Sequence, residues 1–388
     1  MIQSMLDNDL YTFTVAQAIR DNFEKPIVSY DFINRGEQKF NKLFESRLAI
    51  AIEDLCNLRF STEELNYLSQ RKFLTSKYVQ SLKDFKFDSS EVYFNVDNDG
   101  KLNLNIEGDW HRTVYWEVPL LATISDLYFR YCDTDWDTDN QRLLAETKIA
   151  RLGFTNCNFV DFGTRRRRNF YIQNQFVSIA KNYSNFMGTS NVHLAKFHNV
   201  KPIGTMSHQW IMGVSGIDGL RRSNKYALKR WADTYKGNLG IALTDTYGSD
   251  AFFNDFDGEL ARLYDGVRHD SGCPFTFGEQ VIKHYEKLSI KPIYKTIVFS
   301  DGLDVDKAIE LKSFFKDKIQ TSFGIGTHFS NDGFSNSALK IVIKLRKIKE
   351  TIDKEWVELV KLSDEPGKET GDSDACRVAK YIFRNEPL

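Results

Sequence analysis

The chain has little of what would place a protein in a simple class. Its 388 residues include only five cysteines (Cys56, Cys132, Cys157, Cys273 and Cys376), an odd number without any CxxC pair. A disulfide framework and a thiolate metal site are both excluded, and reduced thiols in the cytoplasm are expected. No apolar run reaches the roughly eighteen residues that a membrane-spanning helix needs, so no membrane partner is expected. The opening MIQSMLDNDLYTFTV has neither a basic segment nor an apolar one of the secretory kind. Formal net charge is −1, so there is no general pull toward nucleic acid, and any anion site must be local. Neither GxxxxGK[ST] nor GxGxxG occurs, which leaves the common nucleotide-binding folds without support.

What remains is an ordinary globular composition, long enough for two domains or one elaborated barrel. Tyr11 to Ile19 predicts a helix, and IVSYDFINR (27–35) alternates like a strand. Charged helical segments follow between residues 41 and 82. EVYFNVDNDGKLNLNIEGDW (91–110) carries an Asn-Asp-Gly turn between alternating apolar residues, which predicts a hairpin. The N-terminal region therefore reads as α+β with an antiparallel sheet.

From about residue 145 short apolar runs end in small or charged clusters, and helical stretches usually follow. The run ends are NFVDFGTRR (158–166), NFMGTSN (185–191), VKPIGTMSH (200–208), GIALTDTYGSD (240–250), YDGVRHDSG (264–272), TIVFSDGLD (296–304) and SFGIGTHFSND (322–332). Asp304 is placed to cap a helix with Ala308, Ile309 and Leu311 on its apolar face. Seven strand ends with polar groups favour an irregular TIM-like α/β barrel over a doubly wound open sheet. IVIKLRKI (341–348) is expected as a final barrel element, 362–372 as a loop, and CRVAKYIF (376–383) as a short strand or helix. The expected domains are an N-terminal α+β domain over 1–125 and a barrel over 126–349.

Four strand ends carry Gly-Thr: Gly163-Thr164, Gly188-Thr189, Gly204-Thr205 and Gly326-Thr327. Glycine admits a close backbone approach and threonine adds a hydroxyl, a pairing that suits phosphate oxygens and equally a simple turn. Of the run Arg165 to Arg168, Arg165 stands nearest the strand end and is the candidate phosphate clamp, with the others expected at the surface. Arg268 and Asp270 lie two apart and read either as ligand contacts or as an ion pair. His269, between them, alternates outward. Asp301 in FSDG is a turn former or a contact to a sugar hydroxyl. His208 follows a strand end among these groups, which makes it a candidate nucleophile or acid.

Taken together, GTMSHQW (204–210), DFGTRRR (161–167), Asp9-Leu10-Tyr11, VRHDSG (267–272), FSDG (299–302) and FGIGT (323–327) resemble the nicotinate phosphoribosyltransferases, of the type II phosphoribosyltransferases. The resemblance runs over essentially the whole chain. It implies an irregular α/β barrel with a second domain assembled from both chain ends, the N-terminal 1–125 joined by about 350–388. The implied reaction is phosphoribosyl transfer from 5-phosphoribosyl-1-pyrophosphate to nicotinate, with ATP as co-substrate, Mg2+ as cofactor and a phosphohistidine at His208. It implies that Asp245 orients the histidine, and that Tyr11 and Phe162 sandwich the pyridine ring, with Tyr11 supplied by the partner of a homodimer. Thr205 and Arg268 are the implied nicotinate contacts, and Arg165 a pyrophosphate or carboxylate clamp. Asp270 and Asp301 fall near ribose and metal, and Gly326 and Thr327 at the 5′-phosphate.

Two positions bear on this expectation. Ser190 stands where nicotinamide-using relatives place an aspartate, so an anionic carboxylate meets no repulsion there. Gln209 replaces a glutamate that many relatives carry beside the histidine. The rival expectations are a nicotinamide phosphoribosyltransferase and a non-catalytic barrel that binds nucleotides or RNA through the arginine run.

Overall fold

Strand and helix signals become elements in a computed structural model that describes residues 1–134, 138–384 and 386. The chain divides into two compact units, each drawing on distant segments. One comprises residues 1–17, 30–204 and 325–343; the other comprises 18–29, 205–324 and 344–388. The secondary structure is mixed α/β, with a parallel sheet and a separate antiparallel one.

Most of β1 (Ile27–Asn34) belongs to the first unit, where it neighbours the hairpin formed by β2 (Val92–Val96) and β3 (Leu102–Asp109). The hairpin register runs from Val92 opposite Ile106 to Val96 opposite Leu102. Its turn closes because the Asp97 carboxylate accepts the N–H groups of Asp99 and Lys101, at 3.0 and 2.9 Å. Leu102, Leu104 and Ile106 alternate inward, as a half-buried strand requires. The helix Glu117–Tyr131 is buried almost all round.

Two parallel strands complete this unit: β4 (Phe159–Asp161) and β5 (Phe186–Thr189), with Asp161 opposite Thr189. Gly188 has φ +136°, and a Cβ there would sit 2.0 Å from the Lys201 carbonyl oxygen, so no other residue fits. The strand expected before Gly204 does not form. Pro202 offers no N–H for a ladder, and pairing stops at a single parallel bridge between Thr189 and Pro202.

The second unit holds the parallel strands β6 (Ile241–Leu243), β7 (Gly266–His269), β8 (Thr296–Phe299) and β9 (Gln320–Ile325), in that spatial order. Leu243 pairs with Arg268, Arg268 with Val298, and Phe299 with Phe323. Helices Pro274–Lys287 and Val305–Phe314 follow β7 and β8. Asp304 caps the second as expected, accepting the Lys307 N–H at 2.7 Å.

The segment read as a last barrel element is instead β10 (Ile341–Lys349), paired antiparallel to β11 (Val357–Glu358). Its inside–outside alternation, kept from Ile341 to Arg346, suits an antiparallel sheet with one wet face, whereas parallel core strands are apolar on both. The tail 376–383 lies within the helix Ser373–Arg384. No helix among the described residues is long and apolar enough to cross a membrane.

Candidate active site

The second unit brings together most of the acidic and basic candidates. His208 opens the helix His208–Asp218, directly after Ser207. The positive end of that helix dipole favours phosphate and opposes an imidazolium. Its Nε2 lies 2.8 Å from Asp245 Oδ1 and 3.5 Å from Asp270 Oδ2. Asp245 stands just beyond β6 and is fully buried. Its second oxygen accepts the Lys361 ammonium at 2.7 Å and the Ser271 hydroxyl at 2.7 Å.

Burial, then the charge of Lys361, lowers the His208 pKa to about 4, against the partial opposition of Asp245. At neutral pH the imidazole is therefore uncharged. Burial alone would raise the Asp245 pKa, but the Lys361 charge and the hydrogen bonds from His208 and Lys361 carry it well below the usual carboxylate value. With His208 neutral, Lys361 supplies the standing positive charge.

Around this pair, Arg268 in β7 donates to the Met206 carbonyl at 3.3 Å and lies 3.7 Å from Asp270. Of the two readings of that spacing, the ion pair is present, and it is loose. Thr205 donates to the Ile241 carbonyl at 3.3 Å. The Ser300 hydroxyl holds Asp270 at 2.7 Å. Asp301 faces Lys368 at 3.2 Å. His269 points away from this group, but into the core rather than solvent, packed on Phe277 and Phe299.

Among the described residues, one set of donors is compact enough for a metal ion: His208, Asp245 and Asp270, within 4.8 Å of one another. Lys361 and Arg268 already compensate those carboxylates. Asp270 and Asp301 are the carboxylates with the chemistry for Mg2+, although each also faces a cation, Arg268 and Lys368 respectively. They offer hard oxygen donors, and burial followed by the nearby Asp270 charge raises the Asp301 pKa despite Lys368, so added positive charge there is favourable.

The first unit gathers the other candidates. Phe162 follows β4, half buried, its N–H bonded to the Ile325 carbonyl at 2.9 Å. Gly326 has open space above it, with only the Phe162 carbonyl, at 3.4 Å, near an added Cβ. Thr327 starts the short helix Thr327–Ser330. Tyr11 lies near Glu117 and Arg165, and burial followed by the Glu117 charge raises its phenol pKa. Arg165 is part-exposed and 3.5 Å from Glu117. The Ser190 hydroxyl donates to Asp9 at 2.7 Å.

The arginine run is not a solvated face. Arg167 is 1% exposed and forks onto Asp7 with two 2.8 Å bonds. Arg168, 0% exposed, is stacked between Phe129 and Phe334 at 3.7 and 4.0 Å. Behind them Asp161 accepts from Thr189, Gln173 and the Gly163 N–H, at 2.7, 2.8 and 2.9 Å. Desolvation pushes its pKa up to about 6 in spite of these bonds.

Sequence reasoning missed Lys361, Asp7 and Glu117, and quoted Asp9 and Asp161 within motifs without giving them a role. For Lys361 no local signal existed, since its partner lies 116 residues away. Asp9 stood in the quoted stretch Asp9-Leu10-Tyr11 without a role, and Asp7 lies two residues before it; acidic residues just ahead of the helix Leu10–Asn22 were the available cue.

Residues 157–387 match the nicotinate phosphoribosyltransferase (NAPRTase) family, and residues 6–125 match that family's N-terminal domain. The chain is 44% identical to the nicotinate phosphoribosyltransferase of Methanosarcina mazei, over 100% of both proteins. It is 40% identical to that of Chromohalobacter salexigens, over 99% of this chain and 98% of the other. The crystal structure of nicotinate phosphoribosyltransferase from Porphyromonas gingivalis superposes with a TM-score of 0.96 at 36% identity, covering 99% of this chain and 100% of that one. The Vibrio cholerae structure gives 0.92 at 36%, covering 100% and 95%. The chain belongs to the nicotinate phosphoribosyltransferase family.

Proposed function

We propose that this chain is a ligase-type enzyme that couples ATP hydrolysis to phosphoribosyl transfer from 5-phosphoribosyl-1-pyrophosphate to nicotinate. The products are nicotinate mononucleotide and pyrophosphate, a step of NAD biosynthesis. The observation that carries the coupling is the buried His208–Asp245 pair at a helix start. Asp245 takes the proton side of the imidazole at Nε2, so the lone pair of Nδ1 is left to attack. An N–P bond forms to the γ-phosphorus as the bridging P–O bond breaks, and ADP leaves with that electron pair. The new charge on His208 favours rearrangement of neighbouring basic groups toward the phosphoribosyl donor.

In the transfer step Arg268 pairs with the nicotinate carboxylate, and Thr205 adds a hydroxyl. Tyr11 and Phe162 hold the ring, Tyr11 coming from the partner protomer of a homodimer. Ser190 borders the carboxylate. Its proton is committed to Asp9, whose carboxyl burial pushes toward the neutral form, so the negative charge beside the substrate is reduced. Arg165 meets pyrophosphate, and the 5′-phosphate rests on the Gly326–Thr327 backbone. Asp270 and Asp301 would hold Mg2+, which supplies charge neutralisation for the departing pyrophosphate.

The free state of all five cysteines supports a cytoplasmic location. An RNA-binding role is disfavoured, because half of the arginine run is buried. The test is incubation with γ-labelled ATP, then mapping of acid-labile, base-stable phosphate, alongside turnover of nicotinate and nicotinamide. Label on His208 with nicotinate preferred is the expected result. Preference for the amide would reject the substrate assignment.

A further inference from the structure

We infer that Lys361 is a positioning residue for His208, acting through Asp245. For its catalytic meaning this rests on the phosphohistidine reading above. The geometry is that of a three-member relay: Lys361 Nζ to Asp245 Oδ2 at 2.7 Å, then Asp245 Oδ1 to His208 Nε2 at 2.8 Å. All three side chains are buried. A carboxylate in such surroundings needs a charged partner or takes up a proton. Lys361 provides that charge without using the imidazole. It occupies the far oxygen, together with Ser271, and so turns the near oxygen toward Nε2.

The lysine is itself held in place. Its backbone bonds to Thr370 in both directions, at 2.8 and 2.9 Å, and the next residue, Leu362, donates to the Thr246 carbonyl at 2.8 Å, next to Asp245. Farther along, Arg384 donates to the Ser363 carbonyl at 2.6 Å. The segment 361–370 is thus a strap with a fixed end over the carboxylate. An ammonium on a fixed strap sets one orientation of Asp245, and Asp245 sets one tautomer of His208, the one with its proton on Nε2. That tautomer leaves Nδ1 as the nucleophile.

The experiment compares wild type, Lys361→Met and Lys361→Arg in the full chain. Met keeps the apolar stem and removes the charge; Arg keeps the charge if the methionine variant is too unstable to study. Two readouts are taken: phosphoenzyme formed from γ-labelled ATP, and the His208 imidazole followed by nitrogen-15 NMR of histidine-labelled protein. Expected for Lys361→Met is roughly a tenfold or greater fall in the phosphorylation rate at saturating ATP, with the Nε2–H tautomer replaced by a mixture. Lys361→Arg should recover most of both. An unchanged tautomer in Lys361→Met overturns the inference. So does a loss confined to the KM for ATP, which would make Lys361 a phosphate contact. A wild type that takes no label, yet changes tautomer on substitution, would uphold the positioning role and reject the phosphohistidine.

Discussion

The Nε2 of His208 meets Oδ1 of Asp245 at 2.8 Å, across 37 residues of chain, with both side chains buried. An imidazole held this way is oriented before any ligand arrives. His208→Ala should therefore abolish ATP hydrolysis and the ATP-stimulated gain in donor affinity, leaving only a slow ATP-independent transfer. Steady-state assays with and without ATP check this. Undiminished coupling in the variant would remove His208 from its assigned role.

The depressed pKa of the same residue has a sign in stability. Burial, followed by Lys361, holds it at about 4 against an ordinary 6.5. Between those values the unfolded chain binds a proton at this position that the folded chain refuses. This group's contribution is fully present above pH 6.5 and declines as pH falls toward 4. The slope approaches about 1.4 kcal/mol per pH unit for one group. Urea midpoints measured from pH 7 to 4.5 should fall less steeply for His208→Gln than for wild type.

Arg268 is loosely paired, 3.7 Å from Asp270, and so is available to a carboxylate ligand. Arg268→Ala should raise the nicotinate KM on the order of ten- to a hundredfold, the worth of one charge-assisted hydrogen bond. Initial rates against nicotinate concentration give the answer; an unchanged KM would move the carboxylate contact elsewhere.

Neighbours in the arginine run should separate cleanly. Arg167→Met strands the buried Asp7 carboxylate, and should cost about 3–5 kcal/mol of stability. Arg165→Ala touches only a part-exposed 3.5 Å pair, and should alter donor kinetics with little change in unfolding. Denaturant titration of both variants, with KM values for Arg165→Ala, tests the contrast. Equal destabilisation would refute it.

These contrasts mark where the sequence was legible. The hairpin at 92–109 and the cap at Asp304 depend on neighbours a few residues apart, so turn and cap chemistry revealed them. The β7 and β8 ends were visible because apolar runs stop at polar groups. Burial of Arg167 and Arg168 was not visible, since it depends on Asp7, Phe129 and Phe334, far away in sequence. β10 was read as a barrel strand because it is an apolar-rich run late in the chain; its alternation was the cue to an antiparallel sheet, where it lies between β11 and β1. The relay behind His208 stayed hidden for the same reason.

The strap that bears Lys361 has a further consequence for how this molecule is made. His208 and Asp245 leave the ribosome well ahead of their lysine, which follows Asp245 by 116 residues. Until it arrives, the carboxylate beneath has no standing counter-charge. The orientation of Asp245 therefore depends on a segment that is translated after every strand of the parallel sheet.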